Sequence, residues 1–349
     1  MPCLDKAVGI SNGPGSIKMF AKVIGVNKLV DNRNLCAYCG AKQSLRLYPT
    51  YSISGDSFYI NRCLKCRAVF LCPSPTREQL DRAYDDSYYG KGQEKFTGRI
   101  ERVLDYFRKT RAASVGKYIH PPAKILDIGC GNGRFLSYLI NQGFEGYGIE
   151  LPGKAAQRAE QIPGLKLKVG RLTPEDFCEN FFDCICMWHV FEHLTEPKET
   201  LQIIKKILKQ NGYLVMSLPN IDSMQSRLFG GKWLHLDPPK HLFFLGAKDL
   251  ISEMKEFGFK LIRQRYFSLE QNPFGIQQSI LNCLLSKREV LFEALKGNDT
   301  YTREYSRFTI TLQKIFYLST FPLFVFLAGL EAALKKGGTM ECIFRKEKT

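Results

Sequence analysis

From Lys124 onward the chain alternates short apolar runs with longer amphipathic stretches. The runs 124–128, 147–150, 166–169, 183–187 and 213–218 have the length and apolar density of buried strands. Helical spacing fills most of the gaps; 199–210 is the clearest case, with Asn211-Gly212 placed to close it. A sixth run, 259–266, follows a helix that ends at Gly258, and 339–345 reads as one more strand. This rhythm predicts an α/β fold with a doubly wound, seven-stranded, Rossmann-like sheet. Residues 267–338 break it and read as a helical insertion.

The first third is organised differently. Residues 1–34, with Ser11-Asn12-Gly13-Pro14-Gly15, show little periodicity and read as a loose segment. Residues 35–72 set paired cysteines among short β-type runs, and Pro73-Ser74-Pro75 punctuates them. Thr76 then caps a helix with Glu78 and Gln79 in its first turn. A mostly helical linker or cap runs to Tyr118, and Pro121-Pro122 opens the core, 119–349.

With 349 residues, 44% hydrophobic and 24% charged, the chain has material for two globular domains, and a disordered or collagen-like class is excluded. The net charge of +16 suits an anionic partner: nucleic acid, an anionic membrane surface or a phosphorylated substrate. The start carries no signal-peptide pattern, so the twelve cysteines are expected to be reduced and the compartment cytoplasmic.

Asp127-Ile128-Gly129-Cys130-Gly131-Asn132-Gly133 ends an apolar strand and opens a helix. Glycines there let the backbone turn tightly and approach a ligand closely. Two details separate this loop from a dinucleotide fingerprint. Arg134 stands where that pattern has its third glycine, and Asp127 lies two residues before the first. A pyrophosphate near that carboxylate would be repelled by about 3 kcal/mol per charge pair, at about 5 Å and an effective dielectric of about 20. A ligand bearing an ammonium and a sulfonium is attracted instead, so the loop favours S-adenosylmethionine over NAD. Glu150, at the end of the next strand, is placed to accept both hydrogen bonds of a ribose diol, with Leu151 beside it.

Cys36-x-x-Cys39 and Cys63-x-x-Cys66 form two pairs that can give four thiolates to one tetrahedral zinc, with a β-hairpin between the knuckles. Neither pair has the strand-to-helix setting of a redox motif. Cys72 reads as a small hydrophobe.

On these residues the segment 119–266 resembles a class I methyltransferase core. Asp127 to Gly133 looks like its first motif, Phe182-Asp183 with the following strand like its fourth-strand motif, and Gly212 to Asn220 like its fifth. The resemblance implies that the loop backbone holds the amino-acid part of S-adenosylmethionine and Glu150 its ribose. Arg171-Leu172 would flank the adenine, and Trp188-His189 would line the site. Cys63 to Cys66, Phe70, Pro73-Ser74-Pro75, Leu80 and Tyr84 through Tyr88-Tyr89 look like the zinc-headed methyltransferases of bacterial sugar and cell-surface glycan pathways, where the zinc is structural.

Four of the five histidines fall between 189 and 241. His189-Val190-Phe191-Glu192-His193 spells an inverted zinc-protease motif, but that motif needs both histidines on one helical face. His189 directly follows an apolar run and reads as a strand end. His241 matches the family's Pro-x-His position and is the candidate general base, since histidine suits proton transfer at neutral pH.

Residues 315–330, IFYLSTFPLFVFLAGL, are the most apolar stretch, interrupted by Pro322 and closed by Glu331. They are short of the ~20 residues that span a bilayer. A buried cap over the substrate pocket is one reading; an interfacial element on anionic lipid, through 315–336, is the other. The sequence thus predicts a zinc-headed methyltransferase acting on a small-molecule, sugar or lipid-linked acceptor, cytoplasmic and in contact with the inner membrane face if the second reading holds. An RNA methyltransferase is the main rival, because a zinc ribbon and strong positive charge mark nucleic-acid binding. Against it, the fourth strand ends Met187-Trp188-His189, without the Asn/Asp-Pro-Pro-aromatic turn of many base-amino methyltransferases. A NAD-linked oxidoreductase is disfavoured by Asp127, and a non-enzymatic zinc scaffold by the intact loop.

Overall fold

The computed structural model describes residues 29–31, 35–84 and 98–348. The N-terminal part contributes β1 (Leu29–Asp31), β2 (Gln43–Tyr51), β3 (Ser57–Cys63), β4 (Val69–Cys72), α1 (Arg77–Ala83) and α2 (Gly98–Val115). An alternating stretch follows: β5 (Lys124–Ile128), α3 (Arg134–Ile140), β6 (Glu145–Glu150), α4 (Lys154–Ala159), β7 (Lys166–Val169), β8 (Phe182–Trp188), α5 (Pro197–Ile207) and β9 (Leu208–Pro219). Then come α6 (Met224–Phe229), β10 (Phe243–Phe244), α7 (Ala247–Glu256) and β11 (Phe259–Arg265). Helices α8 (Asn272–Leu284), α9 (Val290–Lys296), α10 (Asp299–Thr302) and α11 (Arg307–Ala333) precede the last strand, β12 (Thr339–Lys346). The loose segment read over 1–34 lies outside the described residues except for 29–31, as do Tyr88 and Tyr89.

The larger sheet has seven strands in the order β11-β12-β9-β8-β5-β6-β7, so the fold is the α/β, Rossmann-like one expected. Strands β9 to β7 run parallel, and β12 is antiparallel to both β9 and β11. Chain order reverses at β5, between β6 and β8; at such a switch point the loops leaving the carboxyl ends part and open a crevice. Side chains along β8 divide between the two faces. Ile185 and Met187 pack under α5 residues Leu201 and Ile204; Cys184 and Cys186 pack with Leu136 and Leu139 of α3. Burial on both faces is why these strands read as continuous apolar runs rather than alternating ones.

Two sequence boundaries shift. Helix α5 ends at Ile207 and β9 begins at once, so Asn211, at φ +61°, lies inside the strand rather than closing the helix. Helix α11 runs unbroken through Pro322, which the sequence reading took as an interruption.

The second sheet, β1-β2-β3-β4-β10, carries the cysteines. Its hairpin β2–β3 lies between the two knuckles, as expected. Its last strand comes from the core: Phe243 pairs with Phe70 and Phe244 with Val69. Tyr38 seals the junction, its ring 5.3 Å from that of Phe243 and 6.4 Å from that of Phe191, while its hydroxyl donates to Glu253 at 2.8 Å.

Candidate active site and metal centre

At the carboxyl end of β5 the chain turns through Gly129 and Gly131, both left-handed at φ +72° and +58°. The Gly129 and Cys130 amides donate to the Ile149 carbonyl at 2.8 and 3.1 Å, tying the loop to β6. A Cβ on Gly129 would stand 2.5 Å from Val190 Cγ2, and one on Gly133 2.9 Å from Leu165 Cδ2, whereas one on Gly131 would meet nothing within 4 Å. The loop is therefore packed at both ends and open in the middle. The Gly131 amide donates to Glu150 Oε2 at 2.6 Å, and the Leu151 amide to Oε1 at 3.0 Å.

Asp127 is 3% exposed, and its Oδ1 has no hydrogen-bond partner among the described residues. Burial, followed by the charge of Glu150, pushes its pKa well up, with Arg111 opposing. Glu150 is also raised by burial, and the Gly131 and Leu151 amides pull it back. A buried acceptor without a donor, beside a second carboxylate and an open stretch of backbone, fits a ligand that brings a cation and hydroxyl groups. It does not fit a pyrophosphate. The residues present are chemically compatible with S-adenosylmethionine, which carries both a cationic amino-acid part and a ribose diol.

Leu151 is exposed, Arg171 donates to Thr195 Oγ1 at 3.3 Å, and Leu172 packs against the core. Trp188 ends β8, edge-on to Phe135 at 5.6 Å with the Arg111 guanidinium 5.2 Å from its ring, and its buried Nε1 has no partner among the described residues. His189 adopts φ +55°, and its Nε2 lies 3.2 Å from Ser217 Oγ.

Beyond β8 a second group assembles around Glu192, which is 1% exposed. Its Oε1 stands 3.4 Å from His189 Nδ1 and 3.9 Å from His241 Nε2, and the His193 and His241 rings meet edge-on at 4.5 Å. Burial pushes the Glu192 carboxyl up, but His189, His241 and His193 outweigh it and bring the pKa to about 2. His193 and His235 are each lowered to about 3, chiefly by burial, and so remain neutral. His241 Nδ1 lies 2.8 Å from the His235 carbonyl. A carbonyl only accepts, so Nδ1 carries a proton and Nε2 is the ring nitrogen turned toward Glu192. The Tyr84 hydroxyl and the Lys240 carbonyl lie 2.8 and 3.0 Å from His193 Nδ1.

Sequence reasoning selected His241 and His189 but left Glu192 and His193 as an ordinary turn, and it missed Tyr84 and His235 in this role. Residues Phe191–His193 do form a short 3-10 turn, not a helix with both histidines on one face, so the protease arrangement is absent. The available signal was the clustering of histidines itself.

The four cysteines converge. Cys36, Cys39, Cys63 and Cys66 place their sulfurs within 4.8 Å of one another, with Cys36–Cys66 at 3.7 Å and Cys39–Cys63 at 3.6 Å. A tetrahedral metal with bonds of about 2.3 Å to sulfur has edges of about 3.8 Å, so these thiols could hold an ion without moving far. Each knuckle closes the same way: the Cys36 amide donates to Ala41 O and the Cys63 amide to Ala68 O, both at 2.9 Å. The residue after each second cysteine, Gly40 or Arg67, is left-handed. The Cys36 pKa is pushed up to about 12, first by its hydrogen bond to Cys63, with Cys66 opposing and burial adding to the rise. Four thiolates this close would need a cation among them, so the group could bind a metal ion only as its thiols give up their protons.

The profile of a family described as "Methyltransferase domain" matches residues 96–264. A ubiquinone biosynthesis O-methyltransferase of Actinobacillus pleuropneumoniae serotype 5b is 30% identical over 190 residues, covering 47% of this chain and 79% of the relative. The protein of the same name from Glaesserella parasuis serovar 5 is 31% identical over 178 residues, covering 46% and 75%. Among solved structures, an S-adenosylmethionine-dependent methyltransferase from Archaeoglobus fulgidus matches with a TM-score of 0.43 at 19% identity, over 69% of this chain and 94% of that one.

Proposed function

We propose, starting from a chain that belongs to the S-adenosylmethionine-dependent methyltransferase family, that its acceptor is a hydroxyl group on a sugar or lipid-linked glycan. The observation that carries this reading is the buried Glu192 ringed by His189, His193 and His241 beside the cofactor loop. An amine can attack a methyl group through its own lone pair, whereas a hydroxyl must lose a proton on the way, which calls for a base. The relatives named above are O-methyltransferases, which agrees.

When bound, S-adenosylmethionine supplies an electrophilic methyl group on a sulfonium. Asp127, the glycine loop and Glu150 orient that ligand, and in-line displacement draws much of its rate from such alignment. His241 Nε2 accepts the acceptor's proton. The His235 carbonyl fixes its tautomer, and the ionised Glu192 at 3.9 Å stabilises the resulting imidazolium. Neutral His193 adds no competing charge beside it.

The four-thiol group holds one structural zinc in this reading, because its edges of 3.6 and 3.7 Å suit that ion.

Transfer of a labelled methyl group to separate pools of nucleotide sugars, lipid-linked glycans and RNA tests the acceptor. Label in a base-stable methyl ether of either carbohydrate pool is expected. Label that enters RNA alone overturns the reading in favour of the zinc-ribbon RNA enzyme.

A further inference from the structure

Helix α11 has 27 residues and is therefore about 40 Å long. Its buried positions are Gln313, Phe324, Ala328 and Glu331, and only 17% of its most apolar window is covered. Phe308, Leu312, Ile315, Leu318, Leu323, Phe326 and Leu330 are instead between 48% and 71% exposed. At about 100° per residue the two sets fall on opposite sides of the helix. The buried-cap reading of 315–330 is therefore not what the structure has: one face rests on the protein and an apolar stripe faces outward along the whole length.

The inner face is fastened by polar hooks. Gln277 Nε2 donates to the Tyr317 carbonyl at 2.9 Å and Thr320 Oγ1 at 2.8 Å, and Gln225 Nε2 donates to Glu331 Oε2 at 2.7 Å. A helix tied along its side by such bonds lies on the surface and does not thread a bilayer. Cations stand at both ends of the helix and along one flank. Arg303, Arg307, Lys314 and Lys335 are exposed, while Glu331, the one acid within the helix, is turned inward. An apolar stripe of this size is rare on a soluble monomer and marks an interaction surface. With these cations it has the composition of an element that lies in a lipid interface.

We propose that α11 docks the protein, in the plane of the membrane, on an anionic bilayer surface. The place in the fold is suitable. β12 starts at Thr339 opposite Pro219, the carboxyl end of β9, so the helical layer lies on the side where the crevice opens. The same layer touches the histidines: Ser279 Oγ accepts from the Leu234 amide at 2.9 Å, next to His235. Docking does not depend on which acceptor is methylated.

Flotation of the full chain with vesicles of phosphatidylcholine, alone or mixed with phosphatidylglycerol, tests this directly. Binding to the anionic vesicles that weakens as salt is raised is expected, because salt screens the attraction of the basic residues to the anionic surface. Leu318→Glu with Phe326→Glu should lower the bound fraction about tenfold, as apolar contact is replaced by charge on the lipid side. Both variants are placed on the outer face, and unchanged calorimetric binding of S-adenosylhomocysteine shows that they fold. Absence of wild-type binding to either vesicle type at low salt overturns the proposal. So does a stable dimer in sedimentation that the double variant converts to monomer without any vesicle binding, since a second copy would then cover the stripe.

Discussion

The two halves of the proposed site are built by different means. The cofactor half is backbone: a loop at the end of β5 whose amides bind Ile149 and Glu150, with Asp127 and Glu150 only 23 positions apart. The acceptor half is side chains gathered from Tyr84, His189–His193, Ser217, His235 and His241, and it is braced from outside. The Leu242 amide donates to the Glu192 carbonyl at 2.8 Å, the Leu71 amide donates to the Leu242 carbonyl at 3.0 Å, and Tyr38 packs on Phe191. The cysteine head therefore buttresses the histidines. A site assembled this way can lose its chemistry while keeping its ligand.

The largest test of that division is removal of a cysteine. Cys63→Ser should release the zinc, lower stability by several kcal/mol (structural zinc in small domains binds with about 10–16 kcal/mol of apparent free energy) and abolish turnover. Residual cofactor binding at low temperature should persist. Metal content near one zinc per chain in the wild type and near zero in the variant is the check; zinc that instead depends on His193 would reverse the assignment.

A smaller effect is expected where the halves touch. Gly129→Ala puts a Cβ 2.5 Å from Val190 Cγ2 at φ +72°, which should cost about 1–3 kcal/mol in unfolding free energy. Val190→Ala in the same chain should recover part of that loss by removing the clashing methyl groups. No recovery would mean that backbone strain alone sets the cost.

The halves also respond oppositely to pH. His235 is held near 3, so the unfolded chain, at 6.5, takes up a proton that the native state refuses. Its contribution is complete above 6.5 and is lost as pH falls toward 3, about 1–2 kcal/mol by pH 5. Glu192, lowered from 4.5 to about 2, loses its contribution in the same direction but further down. Asp127, raised by burial, favours the native state at low pH and opposes it as pH rises above 3.8. Denaturant unfolding of the wild type and His235→Gln at pH 7 and 5 should show a shallower pH slope in the variant; equal slopes would remove His235 from the account.

This difference in construction also decides what the sequence could reveal. Asp127, Gly129, Gly131 and Glu150 were legible because the turn, the ligand approach and the carboxylates all lie within one strand–loop–helix–strand unit. The cysteine group was legible because ligand spacing within each knuckle is local. Glu192 and His193 were not: their partnership with His241 and Tyr84 rests on tertiary packing across 49 and 109 positions, which no local spacing encodes. The length of α5 was misjudged because Asn211-Gly212 has the chemistry of a helix end yet lies within β9, where pairing with β8 and β12 takes over. The exposure of α11 was also hidden, since an apolar run has the same composition whether it is covered or not.

The most direct test of the central claim, that binding and proton removal reside in separate halves, is to measure both quantities on Glu150→Ala and His241→Asn. Calorimetry with S-adenosylhomocysteine should show Glu150→Ala weakened by about 1–3 kcal/mol, the order of a lost hydrogen bond to a charged group, and His241→Asn unchanged. Methyl transfer at saturating cofactor should fall about 10²–10⁴-fold in His241→Asn, the usual contribution of a general base, and far less in Glu150→Ala. Loss of cofactor affinity in His241→Asn, or full turnover in it, would contradict the division.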